Sequence, residues 1–148
     1  MTLAMSGTVT VFRPRLARVV TLALAVAVVV LTGVIIAVLP GAGPLDQAGF
    51  ALVGLLIAWF CWRQASVSAR ADDAGVVVRN LMLTRRLEWA EVVAVRFGHG
   101  RPWVQLDLAD GDTLAVMGIQ RADGERAEED ARRLATLVAE RTRTQRDD

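Results

Sequence analysis

The sequence contains no tyrosine, one cysteine and one histidine, and its 17 basic residues are all arginine. A single cysteine forms no internal disulfide, so no disulfide framework holds this fold. The lone histidine, His99, sits in Gly98-His99-Gly100, and the lone cysteine, Cys61, lies in an apolar run. That leaves no metal-ligand spacing. General acids and nucleophiles are correspondingly few, and there is no glycine-rich phosphate loop or nucleophile elbow. No catalytic residue, cofactor or metal is therefore expected. Glu88 and Glu91, beside Trp89, read as a solvated face and not as a catalytic carboxylate pair.

A basic excess is also missing. Residues 63–148 hold 14 Arg against 15 Asp and Glu, which leaves no general nucleic-acid face. The absence of lysine beside abundant Ala and Val is the bias of a GC-rich genome, so arginine in place of lysine carries no functional meaning.

What the chain does have is apolar length. Val19–Leu39 runs without a charge, and Ala48–Trp62 is a second such run. At about 1.5 Å of rise per residue, the first spans the roughly 30 Å hydrocarbon core of a bilayer as a helix. The second reaches that length when extended to Leu45–Ala65, with Trp59, Phe60 and Trp62 clustered where rings meet headgroups. The rival reading, a buried amphipathic helix, requires a polar face at helical spacing, and none is present. A two-helix transmembrane hairpin over 19–65 is expected. Small residues at Ala23, Ala25, Ala27, Gly33, Gly49 and Gly54 permit close packing within the hairpin or between protomers.

Arg13, Arg15 and Arg18 precede the first run, Arg63 and Arg70 follow the second, and the connecting Pro40–Gln47 has no basic residue. The positive-inside rule then places both termini in the cytoplasm of a plasma (inner) membrane protein. A cleavable signal peptide would have a shorter apolar region and no second run behind it.

From Ser66 the pattern turns to short strands. Val67–Ala71, Gly75–Asn80, Thr84–Glu88, Val92–Phe97, Trp103–Leu108 and Thr113–Met117 are separated by turn signals, including Asp110-Gly111 as a tight hairpin. In Val92–Phe97, alternation places Val93, Val95 and Phe97 on one face. A final helix, N-capped by Asp123 and running to about Arg141, carries an apolar stripe of Ala127, Ala131, Leu134, Leu137 and Val138. Glu128–Arg132 and Glu129–Arg133 are spaced as i,i+4 pairs on its other side. Thr8–Phe12 also alternates as a strand and is expected to cover an edge of the sheet. The expected organisation is an N-terminal cytoplasmic segment (1–18, strand at 8–12), the hairpin (19–65, helices at 19–39 and about 45–65), a β-domain with a C-terminal helix (66–141) and a frayed tail (142–148).

Ala71–Asn80, Arg85–Val92, Val95-Arg96-Phe97 and Asp110-Gly111, behind a two-helix anchor, resemble the actinobacterial membrane-anchored bacterial PH-domain proteins. That group includes low-molecular-weight protein antigen 6, and the resemblance covers most of residues 8–141. It implies an α+β chain: a transmembrane hairpin, then a small PH-like antiparallel β-barrel capped by a C-terminal helix. It brings no catalytic signature.

A binding or scaffolding module on the cytoplasmic face of the membrane is the leading functional reading. Its partners are the bilayer itself and an unidentified protein. The alternatives are a headgroup-sensing lipid-binding domain and a structural subunit of an envelope assembly complex. The candidate contact surface is Arg79, Arg85, Arg86, Arg96 and Arg101, with Trp103 beside the Gly98–Pro102 loop. Near a membrane surface each arginine contributes about 1 kcal/mol of attraction to anionic headgroups. The alternative is that these arginines are ordinary outward strand positions paired with acids. Trp89 reads as a core anchor.

Overall fold

The computed structural model describes residues 7–147. Its elements are β1 (Thr10–Phe12), α1 (Leu16–Val38), α2 (Pro44–Ala65), β2 (Ser68–Ala71), β3 (Gly75–Arg79), β4 (Thr84–Glu88), β5 (Val92–Arg96), β6 (Trp103–Leu108), β7 (Thr113–Gln120) and α3 (Glu125–Asp147). They form two compact bodies. One is the helical pair, Arg15–Ser66, and the other gathers the chain on either side of it.

Both helices of the pair are long and apolar enough to cross a membrane. Pro44 opens α2, and the Asp46 carboxylate accepts the Gly43 N–H at 3.0 Å, satisfying a donor that the helix end leaves unpaired. The helices pack closely where Gly54 meets Thr32: a Cβ on Gly54 would collide with the Thr32 side chain. No residue of α1 is buried, and in α2 only Gly54, Cys61 and Ala65 are. Trp59, Phe60 and Trp62 are exposed with the aliphatic side chains around them. A core helix of a water-soluble domain would hide that surface.

The second body has two antiparallel sheets, ordered β1-β2-β3-β4 and β5-β6-β7. In the first sheet, Phe12, Ala69 and Val78 lie in one cross-strand row, and Ala71, Val76 and Leu87 in another. All are buried. They join Val104, Leu106, Leu108, Leu114 and Val116 of the second sheet, and Ala127, Ala131, Leu134 and Val138 of α3, in one core. Full burial of a side chain such as Leu134 contributes about 1.5–3 kcal/mol. The apolar stripe of α3 thus covers the β-structure, as its spacing requires. Trp89 is buried too, and its Nε1–H donates to the Asp72 carbonyl at 3.0 Å.

The sheets are tied where β7 crosses β2 and β3. The Asn80 amide Nδ2 donates to the Ala115 carbonyl at 2.7 Å, while its Oδ1 accepts the Met117 N–H at 3.1 Å. This one side chain imitates a strand partner across the gap between sheets.

Several local expectations are corrected. A bulge between Val92 and Ala94 shifts the register of β5. Val92 is consequently buried and Val93 is 64% exposed, although simple alternation puts Val93 with Val95 and Phe97. The strand expected at Thr113–Met117 continues to Gln120, and the N-terminal strand forms at Thr10–Phe12. The β6–β7 connection is wider than a two-residue turn: Leu108 N–H donates to the Asp112 carbonyl, and positive φ occurs at Gly111 alone. Asp123 closes a short 3-10 turn, and the Gly124 carbonyl accepts the first bonds of α3. Among the described residues, the ion pair within α3 is Arg126–Asp130 at 3.9 Å; Arg132 instead donates through Nε to the Glu128 carbonyl. α3 is described to Asp147, past Arg141, where the apolar stripe read from the sequence ends. Glu91 is structural, its carboxylate accepting the Glu88 N–H at 2.7 Å around the Trp89–Glu91 turn.

Candidate functional site

Among the described residues, strand β5 borders its sheet and pairs on one side only, with β6. α3 packs beside it, and the space between them is a groove of about 480 Å³ lined by Val95, Phe97, Gly98, His99, Arg121, Glu128, Ala131, Arg132 and Ala135. A second lobe of about 260 Å³ shares Val95 and Ala135 and continues past Val93, Ala94, Val138, Ala139, Thr142 and Arg143. The floor is apolar because the helix turns alanines toward it at 131, 135 and 139, one per helical turn. Small side chains there leave room that larger ones would fill.

The rim is basic. Arg121, Arg132 and Arg143 line the two lobes against one acid, Glu128. Arg121 holds the mouth in place. Its guanidinium lies 5.2 Å from the centre of the Phe97 ring, within cation–π range. It also donates through Nε to the Arg101 carbonyl at 2.9 Å and through Nη2 to the Gly98 carbonyl. The loop carrying exposed His99 is therefore pinned at both ends. Among the described residues no cluster of His, Cys, Asp and Glu could hold a metal ion.

The six residues singled out by the sequence do not form one patch. Arg79 and Arg86 belong to the outer face of the first sheet, where Arg86 is opposite Val77, itself opposite Arg70. Arg85 is opposite Val78 and so lies on the other face, 3.7 Å from Asp110. Arg96 and Trp103 are in the second sheet, where Arg96 pairs with Asp107. Arg101 donates to Gln105 Oε1, beside the groove mouth. Trp103 is half-buried opposite Gln120. Charge counting alone could not separate residues on opposite faces of a strand pair.

The groove was missed in the sequence. Its available signal was the Ala131, Ala135, Ala139 repeat beside the stripe of Leu134 and Val138, which marks a helix that approaches a neighbour without filling the gap.

Residues 66–136 match the family of bacterial PH domains. Uncharacterized proteins of Mycobacterium tuberculosis (Rv1417) and Mycobacterium bovis (Mb1452) are each 39% identical over 82 residues, covering 55% of this chain and 53% of the relative. The chain thus matches about half the length of these relatives. No solved structure matches it.

Proposed function

We propose that this protein is a membrane-anchored docking module without catalytic activity, a reading supported by the match of residues 66–136 to bacterial PH domains, a fold of binding modules. The domain is presented on the cytoplasmic face of the plasma membrane. Two features support the placement. Phe12 pairs with Ala69, so the chain ends flanking the helical pair lie on the same side of any membrane the pair crosses. The arginines before α1 and after α2, against a connection without basic residues, support the cytoplasm as that side.

The observation that carries the docking reading is the groove between β5 and α3. β5 offers an unpaired strand edge, the floor offers apolar pockets at Val95 and Ala135, and the rim is basic. The occupant that fits is an extended protein segment with acidic residues flanking small apolar ones, added to β5 as a further strand. A photoreactive residue at Ala135 in the full chain tests this. The reading predicts a protein adduct that disappears when Ala139→Trp, at an exposed lining position, fills the groove; lipid adducts alone, or a protein adduct indifferent to Ala139→Trp, contradict it.

A second reading, contact with anionic headgroups, is favoured by the outer face of the first sheet. Arg70, Arg79 and Arg86 share it, and among the described residues none of the three has a carboxylate within ion-pairing distance.

A further inference from the structure

The turn between β3 and β4 exposes a pair of large apolar side chains. Met82 is 73% exposed and Leu83 56%. Apolar surface gathered at the tip of a hairpin is one mark of a membrane or partner contact.

The tip is not a loose loop. The Asn80 N–H donates to the Leu83 carbonyl at 2.8 Å, closing the turn, and the Asn80 side chain is held by Ala115 and Met117 of β7. The two side chains are presented from a fixed base.

The strand register says which way the tip points. Ser68, at the start of β2, pairs with Arg79, at the end of β3, and Phe12, at the end of β1, pairs with Ala69. The β3–β4 turn therefore occupies the end of the sheet from which the chain departs toward α1 and to which it returns from α2. The β2–β3 turn at Asp72–Ala74 lies at the opposite end, about 17 Å away along five residues of strand.

Charge agrees with position. Arg79 and Arg86 stand on the outer face just behind the tip, without an ion-pair partner among the described residues. Arg85, on the other face, is the one drawn to an acid, Asp110. An apolar point behind which basic side chains sit is the chemistry of a surface that rests in an anionic membrane interface.

We propose that Met82 and Leu83 dip into the headgroup–acyl boundary of the bilayer crossed by α1 and α2, with Arg79 and Arg86 against its anionic headgroups. The domain then touches the membrane at a point other than its two chain connections. This proposal rests on the reading that α1 and α2 span the bilayer, but it is independent of the β5–α3 groove.

The test uses the full chain in nanodiscs of phosphatidylcholine and phosphatidylglycerol, with Cys61→Ala and one fluorophore at a time on Met82→Cys, Ala74→Cys or Val26→Cys. Quenching is read from a lipid-borne nitroxide and from an aqueous quencher. The expected result is lipid quenching and loss of aqueous quenching at 82, the reverse at 74, and lipid quenching at 26. Equal aqueous quenching at 82 and 74 overturns the proposal, and so does shielding of 82 from both quenchers, which would mean a protein covers the tip. If the label at 26 stays open to water, the membrane-spanning reading itself fails and takes this one with it. Arg79→Gln with Arg86→Gln is expected to lower lipid quenching at 82; no change would remove the headgroup contact from the proposal.

Discussion

Gly118 of β7 lies against the backbone of Ala69 in β2. A Cβ on Gly118 would stand 2.7 Å from the Ala69 nitrogen and 2.9 Å from the Phe12 carbonyl oxygen. Three stretches of chain meet there: one preceding the helical pair, one following it, and one from the second sheet. Because the atoms that would be struck are backbone, the crowding has no flexible side chain to absorb it. Gly118→Ala is expected to cost about 2 kcal/mol or more through overpacking. Thermal melting of the full chain checks this, and an unchanged midpoint would mean that β7 does not make this crossing.

The first strand is short but contributes to the core. Phe12 is buried, and β1 pairs with β2 from Thr10 to Phe12. Phe12→Ala should therefore destabilise the domain by about 3–5 kcal/mol, the usual range for emptying a buried phenylalanine site. Removing residues 1–11 should lower the melting temperature as well, by uncovering the β2 edge. A melting temperature insensitive to both changes would show that the strand is dispensable.

Asp130 gives the domain a pH dependence. Burial holds its carboxyl above the ordinary value of 3.8, opposed in part by the guanidinium groups of Arg126 and Arg133. The folded state keeps this proton to higher pH than the unfolded chain does. Stability from this group consequently falls as pH rises from 3.8 through the raised folded value, and stays lower above it. Asp130→Asn should raise the melting temperature at neutral pH, with the gain vanishing below pH 3.8. A gain of the same size at all pH values would contradict this origin.

What the sequence made legible was whatever periodicity or length encodes. The helical pair followed from uncharged runs of membrane length, and α3 from apolar residues spaced to cover one face. The strands followed from short runs between turn residues: Trp103–Leu108 occurs as its alternation places it, and β4 fills the range Thr84–Glu88, within which the sequence places a strand. The bulge at Val93 escaped because an inserted residue breaks the alternation without leaving any compositional mark. The extension of β7 to Gln120 escaped because Gly118, which interrupts the apolar pattern, is needed for a close approach that only the folded chain makes. Candidate site residues fared least well: Arg85 and Arg86 are neighbours in sequence and face opposite ways in β4. The groove depends on a strand edge left unpaired, a property of sheet order and not of any local run of residues.

The central proposal is that one PH-like domain, assembled from chain on both sides of a helical pair, sits on the cytoplasmic side of a membrane which that pair crosses. Single cysteines at Thr8, Ala42 and Ala74 in a Cys61→Ala background, probed with a membrane-impermeant thiol reagent on intact cells, test it most directly. Position 42 should react in intact cells, and positions 8 and 74 only after the membrane is opened. Reaction of 74 in intact cells, or 8 and 74 reporting opposite sides, would contradict the account.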